Sequence, residues 1–284
     1  MSDPGVRLRV MTWNVRYFGH GTHGLRASDA WIRRLAWVVA GLPTVPDVIA
    51  LQEVEHGSLR GGAAPQLGRF VDHLHAALAA NRSSARFDAR YFPAHRYGRL
   101  YTTGLAVLVS DRHPIDAADA REITHVRWAP AARWKQRRIA ARVTLRPHGA
   151  SRPLHLVNTH LSLPAFFEVG PHRLPDRMGH GSNQLAEAEA LLGQLPDGDT
   201  DVIVVGDFNS APGSPVYDRL TARLVDPYRG ADAETAAFLH RRMHLDHLFS
   251  SPSVRWDGVE AYSVDAGPFR GLSDHAPKIG RLAA

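Results

Sequence analysis

The chain has 284 residues, 44% of them apolar and 22% charged, which supports a large buried core and excludes a disordered or fibrous protein. It has no cysteine, so disulfides, thiolate catalysis and Cys-ligated zinc or iron–sulfur clusters are excluded. The formal net charge is +6, and of the 34 basic residues only Lys135 and Lys278 are lysines. Such arginine use reflects genome composition first, and secondarily favours planar contacts to phosphate.

In chain order, apolar alternation and short apolar runs predict a first strand near 7–15, "RVMTWN", that ends in Asn14. A helix follows a Ser28 N-cap, with Trp31, Leu35, Val38 and Leu42 on its apolar face. A second strand near 47–53 ends in Glu53, and a second helix carries Leu67, Phe70, Val71, Leu74 and Leu78. "RYFPAHRYGRLY" at 90–101 mixes cationic and aromatic groups ahead of a strand near 103–110. Residues 121–142 hold seven basic side chains against Glu122 alone, an excess of six that equals the net charge of the whole chain. This strip, with Trp128 and Trp134, reads either as a solvated strand and loop or as a landing surface for a polyanion.

Further strands are predicted near 138–146 and 154–161, the latter with Asn158 and His160 near its end. Segments 163–182 and 226–243, rich in Pro, Gly, His and Arg, read as surface loops; a third helix covers about 183–195. The strand near 201–206 runs into "GDFN", 244–250 carries Asp246, and Asp274 and His275 lie between the last two strands, near 258–264 and 276–281. Numerous short strands interleaved with helices fit two packed sheets better than one parallel sheet, so the fold class expected is α/β, a four-layer sandwich of two mainly antiparallel or mixed β-sheets flanked by helices. One domain over 1–284 is expected. No apolar run reaches the ~20 residues that span a bilayer, and "MSDPGVRLRV" lacks the apolar stretch of a secretory signal, so a cytoplasmic monomer without an obligate protein partner is expected.

The chemistry lies at the strand ends. Because strand side chains alternate, Asn158 and His160 share a face, as do Asp207 and Asn209 if strand geometry persists, leaving Thr159 and Phe208 opposite. A lone buried carboxylate is costly unless a cation or donors compensate it, so several acids at strand ends call for a metal ion or arginines. Carboxylates with an asparagine and no thiolate form a hard oxygen set suited to Mg²⁺, with Mn²⁺ as the alternative. Two histidines beside them supply a group to deprotonate water and donors for charge developing on phosphate oxygens.

Singly, each of these fragments is weak, and "GDFN" could be a plain turn. Taken in order, W-N, Q-E, N-T-H, G-D-F-N, L-D-H and S-D-H resemble the endonuclease/exonuclease/phosphatase superfamily from Asn14 to His275. "NVRYFG" and "LQEVE" look most like the deoxyribonuclease I branch, whereas "GDFNSAPGSPVYDRL" looks more like the sphingomyelinase and deadenylase branches. The resemblance implies that Glu53 is the principal metal ligand, that Asn14 helps hold the metal shell, and that Asp274 adds to metal binding or orients an imidazole. It makes His275 the histidine beside the scissile phosphate, His160 a second stabilising histidine, Asp207 the residue that positions or activates water, Asn209 a phosphate contact and Asp246 a histidine buttress. Arg138 or Arg137 matches a phosphate contact on the central strand, and Asn158 and Trp134 complete the candidate substrate-binding set with Arg138. His247 departs from the aromatic or arginine usual in the family at that place.

Most of the 17 histidines, including His20, His23, His56, His73, His75, His172 and His180, read as solvated and carry no role. Trp13, Trp31 and Trp37 read as core. Phe166 and Phe167 read as packing beneath a loop or, if exposed, as groups that stack on a base or enter a lipid headgroup layer. The expected function is a divalent-metal-dependent phosphodiesterase acting on nucleic acid by direct attack of water. The alternatives are a phospholipid-headgroup phosphodiesterase, a small-molecule phosphatase and a catalytically silent binding module.

Overall fold

A computed structural model describes residues 8–125, 135–163, 182–198, 200–229, 235–238 and 241–283. Trp128, Trp134, Phe166 and Phe167 lie outside the described residues. One sheet has the strand order β12–β13–β1–β2–β4–β3, formed by β1 (Arg9–Asn14), β2 (Val48–His56), β3 (Phe87–Tyr97), β4 (Tyr101–Ser110), β12 (Trp256–Ala261) and β13 (Lys278–Leu282). The other runs β11–β8–β7–β6–β5, formed by β5 (Ile115–Glu122), β6 (Ile139–Leu145), β7 (Leu154–His160), β8 (Asp201–Asp207) and β11 (Asp246–Ser250). The pairs β1/β2 and β7/β8 are parallel and the other pairings antiparallel, so both sheets are mixed. Helices α1 (Asp29–Ala40) and α2 (Gln66–Ala80) cover the first sheet; α3 (Ser182–Leu192) and α4 (Pro215–Thr221) cover the second. The result is the four-layer α/β sandwich.

The layering follows from strands buried on both faces, each reading as a near-continuous apolar run. On β1, Met11 and Trp13 pack towards α1 and α2 while Val10 joins the core between the sheets; on β8, Val202 and Val204 face α3 and α4 while Ile203 and Val205 face the other sheet. Ser28 caps α1 by accepting the Trp31 amide, and Ser214 caps α4 by accepting the Tyr217 amide.

Several expectations change. The 90–101 stretch is mostly strand, and Pro93 is tolerated because β3 is an edge strand. The 226–243 segment, expected as loop, contains a short hairpin of β9 (Ala236–Phe238) and β10 (Arg241–Met243). Trp37 is 46% exposed rather than core, because it points away from the Ile32–Leu35–Val39 stripe that packs on the sheet. The basic strip is partly neutralised: Arg121 and Arg142 pair with Asp119, Arg137 with Glu122, and Lys135 is buried against Glu187.

Candidate active site

The candidate side chains extend the apolar rows that pack the two sheets together. On β1 the row Val10, Thr12 ends in Asn14; on β7 Leu154, Leu156, Asn158 ends in His160; on β8 Ile203, Val205 ends in Asp207; and Leu248 of β11 shares a row with Asp246. Where the sandwich opens, the same alternation that buries aliphatic groups therefore delivers polar ones. Gly206 makes the β8 end possible: its φ is +147°, and a Cβ there would sit 2.0 Å from the Thr159 carbonyl oxygen. Beyond Asp207 the strand ends, Phe208 packs under α4, and Asn209 takes a left-handed φ of 49°.

Glu53 needs a different device. Its parity on β2 would send it towards the helices with Ile49 and Leu51. The register of β2 against β4 slips between Leu51 and Val54, and Glu53 itself has φ +57°. This bulge reverses the phase, so that Val54 joins the helix-side core and Glu53 turns into the cleft.

The groups form one connected network. The Asn14 Nδ2 donates to Glu53 Oε1 at 3.2 Å and to Asp207 Oδ2 at 3.0 Å, while its Oδ1 accepts the Arg16 amide at 3.0 Å. Asp207 also accepts the Asn209 amide at 2.9 Å and lies 3.5 Å from His160 Nε2 and 3.7 Å from His275 Nε2. His275 Nδ1 meets Asp246 Oδ2 at 2.8 Å, and the Asn209 side-chain amide donates to His160 Nε2 at 3.2 Å. Arg16 reaches Asp274 at 3.0 Å. Arg138 lines the cleft with Glu53 and His160.

Burial raises the Glu53 pKa, Asn14 opposes that rise by its hydrogen bond, and Asp274 adds to it. Asp207 is pushed up to about 7, chiefly by burial, with His275 opposing and Asp246 reinforcing. Burial pulls His275 down, but Asp246 and Asp207 outweigh it and leave the imidazole well above its ordinary value. His160 falls well below its ordinary value through burial and then Arg138. A neutral His160 is consistent with its accepting the Asn209 amide.

Two groups of residues could hold a cation. Glu53 and Asp274 repel one another, and the Glu53 carboxylate has a single described hydrogen bond, so with Asn14 they form an undercompensated oxygen set that fits a hard divalent ion. Asp207, Asp246 and His275 also bring ligand atoms within 4.8 Å of one another. There His275 already bonds Asp246 Oδ2, and a cation would compete with the raised His275 proton, although the buried Asp246 Oδ1 has no partner among the described residues.

Eight of the sequence candidates thus meet at one cleft: Asn14, Glu53, His160, Asp207, Asn209, Asp246, Asp274 and His275, with Arg138 beside them. Asn158 does not. It is fully buried, its amide donates to the Leu51 and Ala106 carbonyls, and its oxygen accepts from Gln52, so it ties the two sheets together beneath the site. Sequence reading missed Ser273, whose hydroxyl donates to the Asn14 carbonyl at 2.7 Å and accepts the His275 amide at 3.2 Å, although the "SDH" triplet contained it. It also missed Arg16, carried in "NVRYFG". Trp13, read as core, is fully buried, and its indole N–H additionally donates to the His275 carbonyl at 2.9 Å.

A mixed-sheet sandwich whose strand ends gather carboxylates, amides and imidazoles supplies the kinds of group that phosphoester hydrolysis uses. The chain belongs to the endonuclease/exonuclease/phosphatase family, whose model matches residues 11–275 and whose members are phosphoester hydrolases. Its structure is similar to that of a family protein from Leptotrichia buccalis, with a TM-score of 0.70 at 18% identity over 98% of this chain and 100% of that one. The human Nocturnin catalytic domain with bound sulfate has a TM-score of 0.67 at 19% identity, covering 98% of this chain and 93% of that one. ANGEL2, a 2',3'-cyclic phosphatase, has a TM-score of 0.66 at 13% identity, covering 98% and 95%. At these identities the likeness establishes the fold. No match was found among curated protein sequences.

Proposed function

We propose that the protein is a divalent-metal-dependent phosphodiesterase that cleaves nucleic acid by direct in-line attack of water. The observation that carries this reading is the continuous chain Glu53–Asn14–Asp207–His275–Asp246, which joins residues from both ends of the sequence at one opening. Glu53, Asn14 and Asp274 would hold Mg²⁺ or Mn²⁺, which when bound polarises the phosphate and stabilises the leaving oxygen. Asp207, raised towards neutrality, accepts the proton of the attacking water. His275, kept protonated by Asp246, donates to a phosphate oxygen; neutral His160, Asn209 and Arg138 supply further contacts. No covalent intermediate is required.

The nucleic-acid preference rests on the ground beside the cleft. A cavity of about 460 Å³ lined by His95, Arg96 and Arg137 shares Ala94 and Arg137 with the cleft wall, so cationic groups continue outward from the scissile position as a polyphosphate chain would need. A second reading, a phospholipid-headgroup phosphodiesterase, is favoured by strongly exposed leucines at the rim, Leu59 and Leu100. Plasmid, single-stranded RNA, sphingomyelin and bis(p-nitrophenyl) phosphate, each assayed with Mg²⁺ and with Mn²⁺, decide between them. Hydrolysis that persists unchanged in EDTA, or in Asp207→Asn, sinks the catalytic proposal and favours a silent binding module.

A further inference from the structure

The three most exposed large apolar side chains among the described residues are Leu59 at 88%, Leu25 at 81% and Leu100 at 76%. Isolated exposed leucines are ordinary. These three, however, stand on adjoining loops at the cleft end of the first sheet, one following β1, one following β2 and one joining β3 to β4. The Ala27 amide donates to the Arg60 carbonyl at 2.9 Å, tying the first loop to the second. Gly57 lies so near the third that a Cβ on it would sit 3.4 Å from the Leu100 carbonyl oxygen.

The chemistry around the tips is one-sided. Segments 16–27, 57–62 and 96–101 contain five arginines and no aspartate or glutamate; Arg16 pairs with Asp274 and Arg60 with the buried Glu55, and the surface charge is that of the exposed Arg26, Arg96 and Arg99. Tyrosines stand behind the leucines: Tyr97 and Tyr101 stack with centroids 4.6 Å apart, and Arg60 lies over the Tyr17 ring at 4.4 Å. Tyr17 is presented by a run of three non-glycine residues with φ between 45° and 55°, Arg16 to Phe18, a left-handed turn that the surroundings must hold against its own preference.

We infer that the Leu25, Leu59 and Leu100 loops form a docking surface for an anionic lipid bilayer beside the cleft. Leucine has no π-face for a base and no group for a groove edge, so aliphatic tips gain by entering the acyl boundary. Arginines behind them answer the negative surface, and tyrosines suit the interface between. This goes beyond the proposed reaction and holds whichever phosphodiester is cleaved.

The test is sedimentation of the full chain with phosphatidylcholine vesicles and with vesicles that also contain phosphatidylglycerol. The wild type should partition into the anionic vesicles and scarcely into the neutral ones. The triple variant Leu25→Ser, Leu59→Ser, Leu100→Ser should lose at least about tenfold in partitioning, with its thermal midpoint and its turnover of bis(p-nitrophenyl) phosphate unchanged. Arg26→Gln with Arg99→Gln should weaken binding to anionic vesicles selectively, and added salt should do the same. Equal partitioning of triple variant and wild type overturns the inference. So does a triple variant that loses plasmid binding while vesicle binding stays intact, which would assign the loops to nucleic acid, or one that abolishes self-association of the wild type, which would assign them to a second copy. Absence of bis-ester turnover in the wild type would instead strike the phosphodiesterase reading and leave docking standing.

Discussion

The two halves of the cleft compensate their charge in opposite ways. Around Glu53 and Asp274, acid faces acid, and relief comes from one amide of Asn14, from the charges of His275 and Arg138 acting on Glu53 without a direct bond, and from Arg16 on the outer side of Asp274. Around Asp207 and Asp246, each carboxylate has an imidazole at hand: Asp246 bonds His275 at 2.8 Å, and Asp207 lies between His160 and His275 at 3.5 and 3.7 Å. A pair of facing carboxylates is stable only if something positive arrives. An acid–imidazole pair is complete in itself and can hold or pass a proton. On the proposed function the first half would receive the cation and the second would handle protons, with Asn14 hydrogen-bonding both.

The largest expected effect breaks the first half alone. Glu53→Gln should reduce kcat/KM for a bis-ester by ~10³-fold or more, as loss of the group that supplies several kcal/mol of charge stabilisation requires. The comparison is sharpened by a readout that needs no turnover: Mg²⁺ should raise the thermal midpoint of the wild type and not that of the variant, because a ligand stabilises only the state that binds it. An undiminished Mg²⁺ shift in Glu53→Gln would move the cation to the Asp207–Asp246–His275 side. Next in size, Asp207→Asn should lose about 10²–10⁴-fold in kcat, the range of general base catalysis, while retaining the Mg²⁺ shift. If that shift vanishes with the activity, the two halves of the cleft are not separable.

How far the sequence reveals all this depends on whether a position obeys simple strand alternation. Asn14, His160, Asp207 and Asp246 were legible because they continue period-2 apolar rows. The turn of Glu53 into the cleft was not, since it depends on a bulge that no local pattern announces; a strand-end position and the resemblance of "LQEVE" single out the residue without showing that turn. Asn158 obeyed alternation and still misled: its row is the right one, but it sits two residues inside the opening, where Gln52 and two backbone carbonyls take up its side chain. β3 and β5 escaped notice for another reason. Both are edge strands, half-solvated and rich in charge, so their apolar signal is weak. The two lysines passed as unremarkable, yet both are buried, Lys135 against Glu187 and Lys278 over the Tyr228 ring and against His244.

Lys278 supports a stability prediction of intermediate size. Burial depresses its pKa from 10.5 to about 7, against the pull of Asp226 and Asp246. Between pH 7 and 10.5 the unfolded chain therefore holds a proton that the folded chain has released, so this group makes stability rise with pH across that window; below about 7 the full penalty is present. Lys278→Met should raise stability by on the order of a few kcal/mol at pH 6.5, and the gain should shrink as the pH approaches 10. Urea midpoints at both pH values measure it, and a gain that is constant with pH would mean that the lysine keeps its ordinary proton affinity in the folded chain and is well paired there.

The smallest effect tests whether Arg138 belongs to either half. Arg138 lowers the pKa of His160 after burial has done so, and it lines the wall with Glu53. As a phosphate contact its loss should cost about 10–100-fold in kcat/KM, since a hydrogen bond to a charged group is worth roughly 1.5–3 kcal/mol. Arg138→Ala should act alike on a small bis-ester and on plasmid, because both present the scissile phosphate. Salt separates the substrates instead. With plasmid, log kcat/KM should fall steeply with log salt, less steeply by about one unit of slope in the variant, whereas the bis-ester should respond little to salt in either protein. A plasmid reaction as indifferent to salt as the small ester would remove nucleic acid as the substrate while leaving the division between cation-holding and proton-handling halves intact.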